Sequence, residues 1–346
     1  FSRHEMIGVL VELCDKSEVP ADKLKPASAL LDPVSPLPPA LFKLCLWTAQ
    51  YYQHSLGDTL SWALPVLLRQ GEPAEIRQER FWQVTPGARL EDPRIARAPR
   101  QRDALKTLSQ HPHGVAHSLL SKLGLNKDSL DLLLAKELVQ LEIRRHLPAA
   151  RHEHWLAQPE LPLNEEQLAA FEAVRSGFGS FHAFLLAGVT GSGKTEVYLQ
   201  LIRETLEAGK QALILIPEIN LGPQTLARFE QRFNARTALL HSAVNDRERL
   251  DAWLAARDGE ADIIIGTRSA LFTPMKNPGL IIIDEEHDGS YKQQEGLRYH
   301  ARDLALVRAH QENIPILLGS ATPSLESLHN AHTGRYGLLR MNQRAG

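Results

Sequence analysis

The stretch Gly188-Val189-Thr190-Gly191-Ser192-Gly193-Lys194-Thr195 decides the fold of the second half of this chain. It matches the phosphate-binding pattern G-x-x-x-x-G-K-[ST] at every position, between an apolar run at residues 183–186 and a helical pattern from Glu196. Glycines let backbone N–H groups approach phosphate oxygens, and a helix N-terminus favours negative charge. We expect Lys194 to reach the β- and γ-phosphates and the Thr195 hydroxyl to hold Mg²⁺. The stretch predicts a nucleoside triphosphate site; the alternative is a glycine-rich turn that matches by chance.

A second stretch, Leu280-Ile281-Ile282-Ile283-Asp284-Glu285-Glu286-His287, joins an apolar run to paired acids. We expect Asp284 to hold Mg²⁺ from the end of a strand, and Glu285 to orient or deprotonate an attacking water. An acidic helix start after a buried strand is the alternative. Together with the phosphate-binding stretch, the acids favour nucleotide hydrolysis, with Lys194, Asp284, Glu285 and His287 as the catalytic candidates.

Apolar β-type runs alternate with helical patterns throughout the second half of the chain. Continuous apolar strands separated by helices predict an α/β fold with a parallel sheet covered on both faces. Right-handed crossovers then place every strand's carboxyl end, and the loops that follow, at one edge of the sheet. The predicted strands are residues 183–186, 212–216, 237–241, 262–265, 280–283 and 314–318.

The start of the chain predicts a different kind of domain. Residues 6–13 have the pattern of a strand, several prolines follow, and residues 40–53 show helical spacing of apolar side chains. We therefore expect a small mixed α/β or β-rich domain over residues 1–71. Aromatic side chains at helical spacing are more often core than base-stacking groups, and we favour the core for Trp47, Tyr51, Tyr52 and Trp62.

The middle of the chain, residues 72–150, predicts a second small domain. It contains a basic stretch at residues 93–106, which is either a solvated face or linker or a contact for nucleic acid. Three short helical patterns and a wing-like alternation resemble a winged-helix module. Such modules bind DNA or serve as protein adaptors, and both roles remain open. The helices are expected at residues 101–110, 115–123 and 127–137, the wing at 139–145, a polar linker at 153–162 and the α/β domain over 151–346.

Length and composition limit the class of protein. A chain of 346 residues suggests two or three domains. The net charge of −2 and a pI near 6.8 exclude a globally basic nucleic-acid binder. Cys14 and Cys45 lack metal-ligand spacing, which favours free thiols in the cytoplasm. No apolar run reaches membrane-span length and no signal peptide is visible, so we expect no membrane association. Because the chain opens at Phe1, we expect it to be a piece of a longer protein.

The tetrad Asp284-Glu285-Glu286-His287 resembles motif II of superfamily 2 helicases and translocases. Further stretches follow in that family's order, and the resemblance implies a role for each. Gln167 would read the adenine edge, and the Ia and Ib positions would grip one DNA strand through phosphodiester contacts. A motif III stretch would couple His287 to the DNA-side loops. The implied residues are Gln224 and Thr225 for Ia, Gly266, Thr267 and Arg268 for Ib, and Ser320 and Thr322 for motif III.

The stretches G-V-T-G-S-G-K-T-E-V-Y, D-E-E-H-x-x-S-Y-K-Q-Q-E-G-x-R-Y-H-A-R-D-L-A and G-S-A-T-P-S-L-E resemble the PriA family of bacterial replication-restart helicases. The resemblance implies an ATP-driven 3′→5′ DNA helicase that recognises arrested forks and initiates primosome assembly. It makes residues 1–71 a 3′-end-binding domain, with Lys25 lining the pocket for the terminus. It also makes residues 290–305 an aromatic-rich loop that links DNA binding to ATP hydrolysis.

In that loop, aromatic side chains would stack on or hydrogen-bond to unpaired bases while cations supply charge. The alternative is that the tyrosines only pack the loop onto its domain, and we favour the DNA role. The stacking candidates are Tyr291, Tyr299 and His300, and the cations are Lys292, Arg298 and Arg302.

The resemblance also implies partners: forks with a leading-strand 3′ end, single-stranded DNA, the primosome proteins PriB and DnaT, and single-strand binding protein, with the chain acting as a monomer. Family members continue into a second motor lobe with a cysteine-rich zinc segment, whereas this chain stops at Gly346. Zn²⁺ is therefore expected only beyond this chain. Without the second lobe's arginines we expect DNA binding, weak nucleotide binding and ATP hydrolysis near background. Gly222 replaces a threonine common in motif Ia.

Two other functions remain open. One is a different superfamily 2 translocase, of RecG or restriction-enzyme type, and the other is a non-catalytic fork-binding or loading module. The stretch from Ser290 to Ala305 favours the replication-restart family over both.

Overall fold

The computed structural model describes residues 6–112, 114–145 and 155–345. It divides the chain into two compact units, one made of residues 1–75 and 147–346 and the other of residues 76–146. The expected linker at residues 153–162 begins outside the described residues.

The first 75 residues contribute three helices, α1 (Pro39–Tyr51), α2 (Leu56–Ala63) and α3 (Val66–Arg69). Between residues 6 and 75 there is no strand, so the expected strand at residues 6–13 is wrong and this region is helical rather than β-rich. A strand needs a neighbour to satisfy its backbone groups, and its apolar residues Met6 and Leu10 are 69% and 67% exposed instead of packed.

Helix α1 buries one face, on which Leu41, Leu44, Cys45, Thr48 and Ala49 lie. Burial raises the pKa of the Cys45 thiol to about 12. The expectation that the aromatic residues form the core is wrong in part. Tyr51 and Trp62 are 64% and 40% exposed, whereas Trp47 and Tyr52 are half-buried.

The unit at residues 76–146 contains a three-stranded antiparallel sheet in the order β2-β1-β3. Its elements are β1 (Gln78–Val84), α4 (Pro99–Ser109), β2 (Val115–Ala116), α5 (Lys127–Ala135) and β3 (Val139–Arg145). The helix expected at residues 115–123 is wrong, because Val115 pairs with Trp82 and only the short 3-10 turn His117–Leu119 follows. The sequence prediction missed β1. A core that includes Trp82, Leu105, Leu108, Leu130 and Leu133 holds the sheet against the two helices.

The remaining residues form a seven-stranded parallel sheet in the order β10-β4-β9-β8-β5-β7-β6. Each predicted strand is confirmed, and β10 is an addition at the edge. The elements are α6 (Glu165–Ser176), β4 (Ala183–Gly188), α7 (Lys194–Glu207), β5 (Gln211–Leu215), α8 (Pro223–Arg232), β6 (Thr237–Leu240), α9 (Asp246–Asp258), β7 (Ile263–Gly266), β8 (Pro278–Ile283), α10 (Ala301–Glu312), β9 (Ile316–Ser320), α11 (Leu325–His332) and β10 (Gly337–Met341).

The order of the central strands positions the candidate site. Strand β9 lies between β4 and β8 and is parallel to both, so the residues after these strands meet at one edge. Side chains such as Leu185, Ile282 and Leu317 are fully buried, as expected for a sheet covered on both faces. None of the helices in the described ranges combines the length and apolar character of a membrane span.

A buried ion pair fixes α7 against α8. The Arg232 guanidinium donates to Glu196 Oε1 at 2.8 Å and to Oε2 at 2.6 Å, and both side chains are at most 10% exposed. Burial opposes ionisation of Glu196, but the hydrogen bonds from Arg232 and Gln200 lower its pKa overall.

We predict that Glu196→Ala destabilises the fold by about 3–5 kcal/mol, because it leaves the Arg232 charge buried without its partner. Urea unfolding measures the loss. Glu207→Ala is the matched control: Glu207 is 48% exposed and pairs with Arg203 at the surface, so its loss should cost less than about 1 kcal/mol. Equal losses in the two variants would contradict the assignment.

Candidate functional site

The phosphate-binding stretch forms the turn from β4 into α7, as the sequence predicts. Gly191 and Gly193 have φ of +80° and +82°, in the left-handed region that glycine adopts without strain. Gly193 is the residue from which α7 starts, so the first backbone N–H groups of the helix face the pocket. The remaining positions of the loop are Gly188, Val189, Thr190 and Ser192, of which Val189 and Thr190 are exposed.

Lys194 occupies the middle of the site and is 8% exposed. Its Nζ donates to the Gly188 carbonyl oxygen at 2.9 Å and lies 3.9 Å from Glu285 Oε1. Thr195 follows it and lines the same pocket as Asp284 and Glu285. The structure therefore brings Lys194, Thr195 and both acids together.

Tyr198, one turn further along α7, holds the Asp284 carboxylate. Its buried hydroxyl donates to Asp284 Oδ1 at 3.1 Å. Burial and the neighbouring charge of Glu285 raise the pKa of Asp284, which indicates a site that favours a bound cation. Glu285 has a φ of +44°, a conformation that costs a non-glycine residue about 1–3 kcal/mol, so its backbone is held in place by the surrounding contacts.

The residues of the pocket fit a Mg²⁺-bound nucleoside triphosphate. The pocket measures about 980 Å³ and runs from the loop to α8. The Ser192 hydroxyl is buried there without a hydrogen-bond partner among the described residues. The Thr195 hydroxyl and the Asp284 carboxylate offer the oxygen ligands that Mg²⁺ prefers.

The motif III residues lie beside the acids, as the sequence predicts. His287 Nδ1 and Ser320 Oγ are 2.7 Å apart, and the Thr322 N–H donates to Ser320 Oγ at 3.0 Å. Ser320 is fully buried, whereas His287 is exposed toward the outside of the site. This contact connects the acidic tetrad to the end of β9 and the loop that follows it.

Gln167 makes its contacts within the protein in this structure, and its role in reading adenine stays a prediction. Its side-chain amide donates to the Ser192 carbonyl oxygen at 2.9 Å, and its Oε1 accepts from the Asn164 N–H at 2.9 Å. Both ends of the amide are therefore bonded within the protein, and the side chain is 4% exposed. Gln167 supports the phosphate-binding loop from the start of α6.

The Ia and Ib positions lie after β5 and β7. Gln224 and Thr225 are in the first turn of α8, whose N-cap is Gly222 without a side-chain cap. Gly266 ends β7, and Thr267 caps a short 3-10 helix, Arg268–Phe272. The Arg268 guanidinium donates to the Ser290 carbonyl oxygen at 2.9 Å, so Ib contacts the aromatic-rich loop directly.

Tyr291 and Tyr299 are 1% and 2% exposed, so the expectation that they stack on bases is wrong in this structure. The Tyr291 hydroxyl donates to the carbonyl oxygens of Asp284, at 2.6 Å, and Leu215, at 3.0 Å. The Tyr299 ring packs edge-on against Phe272 at 5.3 Å. Both tyrosines fasten the loop to the α/β domain, which is the alternative that the sequence left open.

The charged residues of the loop divide into two groups. Arg302 is buried and donates to Glu286 Oε2 at 3.1 Å, so its expected role as a DNA-facing cation is wrong. Lys292 and Arg298 are exposed and His300 is half-buried, so their DNA role stays a prediction. Lys25 lies on an exposed irregular segment, and its role also stays a prediction.

Three residues at this edge were missed by the sequence prediction. Tyr198 supports Asp284, and Arg228 is an exposed cation that lines the pocket from α8. Glu286 is fully buried and accepts from Ser324, Ser327 and Arg302. Only Glu286 carried a usable signal, because an acid at the end of an apolar strand must find partners when it is buried.

Comparisons with known proteins agree with this geometry. A DEAD/DEAH box helicase model matches residues 164–331, and a PriA 3′ DNA-binding domain model matches residues 1–65. The parallel sheet, the phosphate-binding loop and the acidic tetrad define a RecA-like lobe of the superfamily 2 helicase class. Over nearly its whole length the chain is similar to replication restart proteins of the PriA family.

The similarity to individual relatives extends over most of the chain. The replication restart protein PriA of Haemophilus influenzae is 44% identical over 360 residues, which cover 100% of this chain and 48% of that relative. That of Chlamydia pneumoniae is 38% identical and covers 98% of this chain and 46% of the relative. The chain thus spans about half the length of the curated relatives it matches. A structure of RecG bound to a three-way DNA junction is 26% identical over 55% of this chain and 25% of that one, with a TM-score of 0.40.

We predict that Tyr198→Phe lowers the affinity of the nucleotide site for Mg²⁺ by about 10- to 100-fold, because it removes the group that orients Asp284. Binding of a fluorescent ATP analogue, titrated with Mg²⁺, measures this. Tyr299→Phe is the control, since the Tyr299 hydroxyl is also buried but contacts the Arg268 carbonyl oxygen and not Asp284. Unchanged Mg²⁺ dependence in Tyr198→Phe would show that the hydroxyl does not position Asp284.

Proposed function

We propose that this chain is the fork-recognising and first motor part of an ATP-dependent 3′→5′ DNA helicase that restarts replication. The observation that carries the proposal is the assembly of Lys194, Thr195, Asp284 and Glu285 around one pocket in a chain that also matches a 3′ DNA-binding domain. The pocket supports the use of ATP, and the match to the 3′ DNA-binding domain supports a DNA end as the partner.

Each residue of the pocket has a separate task in this proposal. Lys194 leaves the Gly188 carbonyl oxygen and binds phosphate oxygens, and the loop's N–H groups surround them. Thr195 and Asp284 would hold Mg²⁺, which when bound would neutralise charge on the phosphates. Glu285 lies beside Lys194 and His287 and orients the attacking water.

The link to DNA runs through the residues that follow the acids. His287 touches Ser320 in motif III, and Tyr291 binds the backbone of Asp284 from the aromatic-rich loop. Arg268 in Ib binds the same loop at Ser290. A change at the nucleotide edge therefore has direct contacts through which to reach the proposed DNA-binding residues. The primosome proteins and single-strand binding protein remain proposed partners of the whole protein.

A second part of the proposal concerns the 346 residues by themselves. We expect them to bind DNA, to bind nucleotide weakly and to hydrolyse ATP near background. Arg228 is the only arginine among the described residues that line the pocket, and arginines supplied to a transferring phosphate account for about 10³–10⁵ in rate in related enzymes. Strong DNA-stimulated ATP hydrolysis by this chain alone would contradict this part.

We predict that forks with a free leading-strand 3′-OH bind this chain about tenfold more tightly than forks with a 3′-phosphate. A blocked end would lose one or two hydrogen bonds, each worth about 1 kcal/mol, and would add charge. Fluorescence anisotropy with two otherwise identical forks measures the ratio. Equal affinities would argue against recognition of the DNA end.

The Lys194→Ala variant distinguishes the two candidate functions, an ATP-driven motor and a non-catalytic loading module. The substitution should reduce nucleotide binding at least tenfold while fork affinity is unchanged, because Lys194 lies at the loop and not on the first 75 residues. Restart that survives this change in the full-length protein would favour a non-catalytic loading role, the second candidate function.

A further inference from the structure

An exposed aromatic surface lies on α1 and α2, outside the residues assigned so far. Trp47 and Tyr51 occupy positions i and i+4 of α1, and their rings stack at 4.5 Å with an interplanar angle of 12°. Tyr52 meets both rings edge-on. Tyr51 and Trp62 are 64% and 40% exposed although the opposite face of α1 is buried. We call Trp47, Tyr51 and Trp62 the α1–α2 aromatic face.

This face is joined to the aromatic-rich loop. The His300 N–H donates to the Tyr52 hydroxyl oxygen at 3.2 Å, and the Arg298 N–H donates to His54 Nε2 at 3.1 Å. Trp62 lies so close to Gly296 that a Cβ there would be 2.9 Å from Trp62 Cζ2. These contacts hold the loop backbone against the two helices, so the face and the loop present one surface.

Three exposed cations lie on α1 and on the loop that contacts the end of α1. Lys43 precedes Trp47 by one helical turn, and Lys292 and Arg298 are exposed on the loop. Within the described ranges none of these three cations forms an ion pair. The exposed carboxylates of the loop are Glu295 and Asp303, and Asp303 pairs with Arg302. Flat exposed rings beside unpaired cations are the chemistry that binds single-stranded nucleic acid, since rings stack on bases while cations meet phosphates.

We propose that the α1–α2 aromatic face is a stacking platform for unpaired bases, with Lys43, Lys292 and Arg298 binding the adjoining phosphates. The proposal rests on the proposed DNA-binding function and adds the place where the single strand lies. The single strand is favoured over a duplex because paired bases do not present their faces. It is favoured over an apolar protein segment because three cations border the rings.

The test uses this chain and a fluorescently labelled 15-nucleotide oligo-dT, with a blunt duplex for comparison. Tyr51→Ala and Trp62→Ala should each weaken oligo-dT binding at least about fivefold, because each removes a stacking surface. Tyr51→Phe, which keeps the ring, should bind like the parent chain. Leu132→Ala removes an equally exposed apolar side chain from the other unit and should change nothing.

Two further readouts are specific to stacking and to phosphate contact. Oligo-dT should quench tryptophan fluorescence in the parent chain, and Trp62→Phe should lose part of that quenching while binding is kept. Arg298→Ala should lower the slope of log affinity against log salt by about 0.7, the value for one phosphate contact on a single strand. Circular dichroism confirms folding of each variant.

The outcomes separate the two proposals. A parent chain that binds neither forks nor oligo-dT would overturn the proposed function and this inference together. A parent chain that discriminates fork ends while Tyr51→Ala and Trp62→Ala bind oligo-dT normally would overturn only the stacking platform. If Tyr51→Ala and Trp62→Ala lost binding to a partner protein but kept DNA binding, the face would be assigned to that protein. This result would also overturn the stacking platform.

Discussion

The parallel arrangement of β4, β9 and β8 is the constraint on which the candidate site depends. Since the strands run in the same direction and are adjacent, the phosphate-binding loop, motif III and the acidic tetrad must end at the same edge. Side chains from these segments therefore meet: Lys194 Nζ lies 3.9 Å from Glu285 Oε1, and His287 Nδ1 lies 2.7 Å from Ser320 Oγ.

Buried tyrosines extend that constraint away from the sheet. Tyr198 donates to the Asp284 carboxylate from α7, and Tyr291 donates to the Asp284 backbone from the aromatic-rich loop. Asp284 is therefore held by its side chain from α7 and by its main chain from the aromatic-rich loop. Burial and the nearby acids raise the pKa of both phenols well above 10, so each stays a hydrogen-bond donor at any physiological pH.

Features that follow from a local sequence pattern could be predicted from the sequence. Fully buried parallel strands are continuous apolar runs, and a phosphate-binding loop has fixed glycines, so the sheet and the site at its edge were predictable. Strand β1, by contrast, was recognisable only through its partners, and the strand expected at residues 6–13 has none in the described structure. The contacts of Gln167 could not be predicted for a similar reason, because nothing local shows that Ser192 and Asn164 bond to both ends of its amide.

The aromatic residues show the same limit most clearly, because the structure exchanges the roles expected for two groups. Tyr291 and Tyr299, expected to stack on bases, are buried, whereas Tyr51 and Trp62, expected in the core, are exposed. Helical spacing identifies which side chains share a face but not whether another element covers it. Tyr291 and Tyr299 point inward and fasten the loop to the α/β domain, whereas Lys292 and Arg298 stay exposed on the loop that contacts α1 and α2. A surface for unpaired bases can thus arise from two segments about 250 residues apart in sequence. The helices supply exposed rings, and the loop supplies exposed cations.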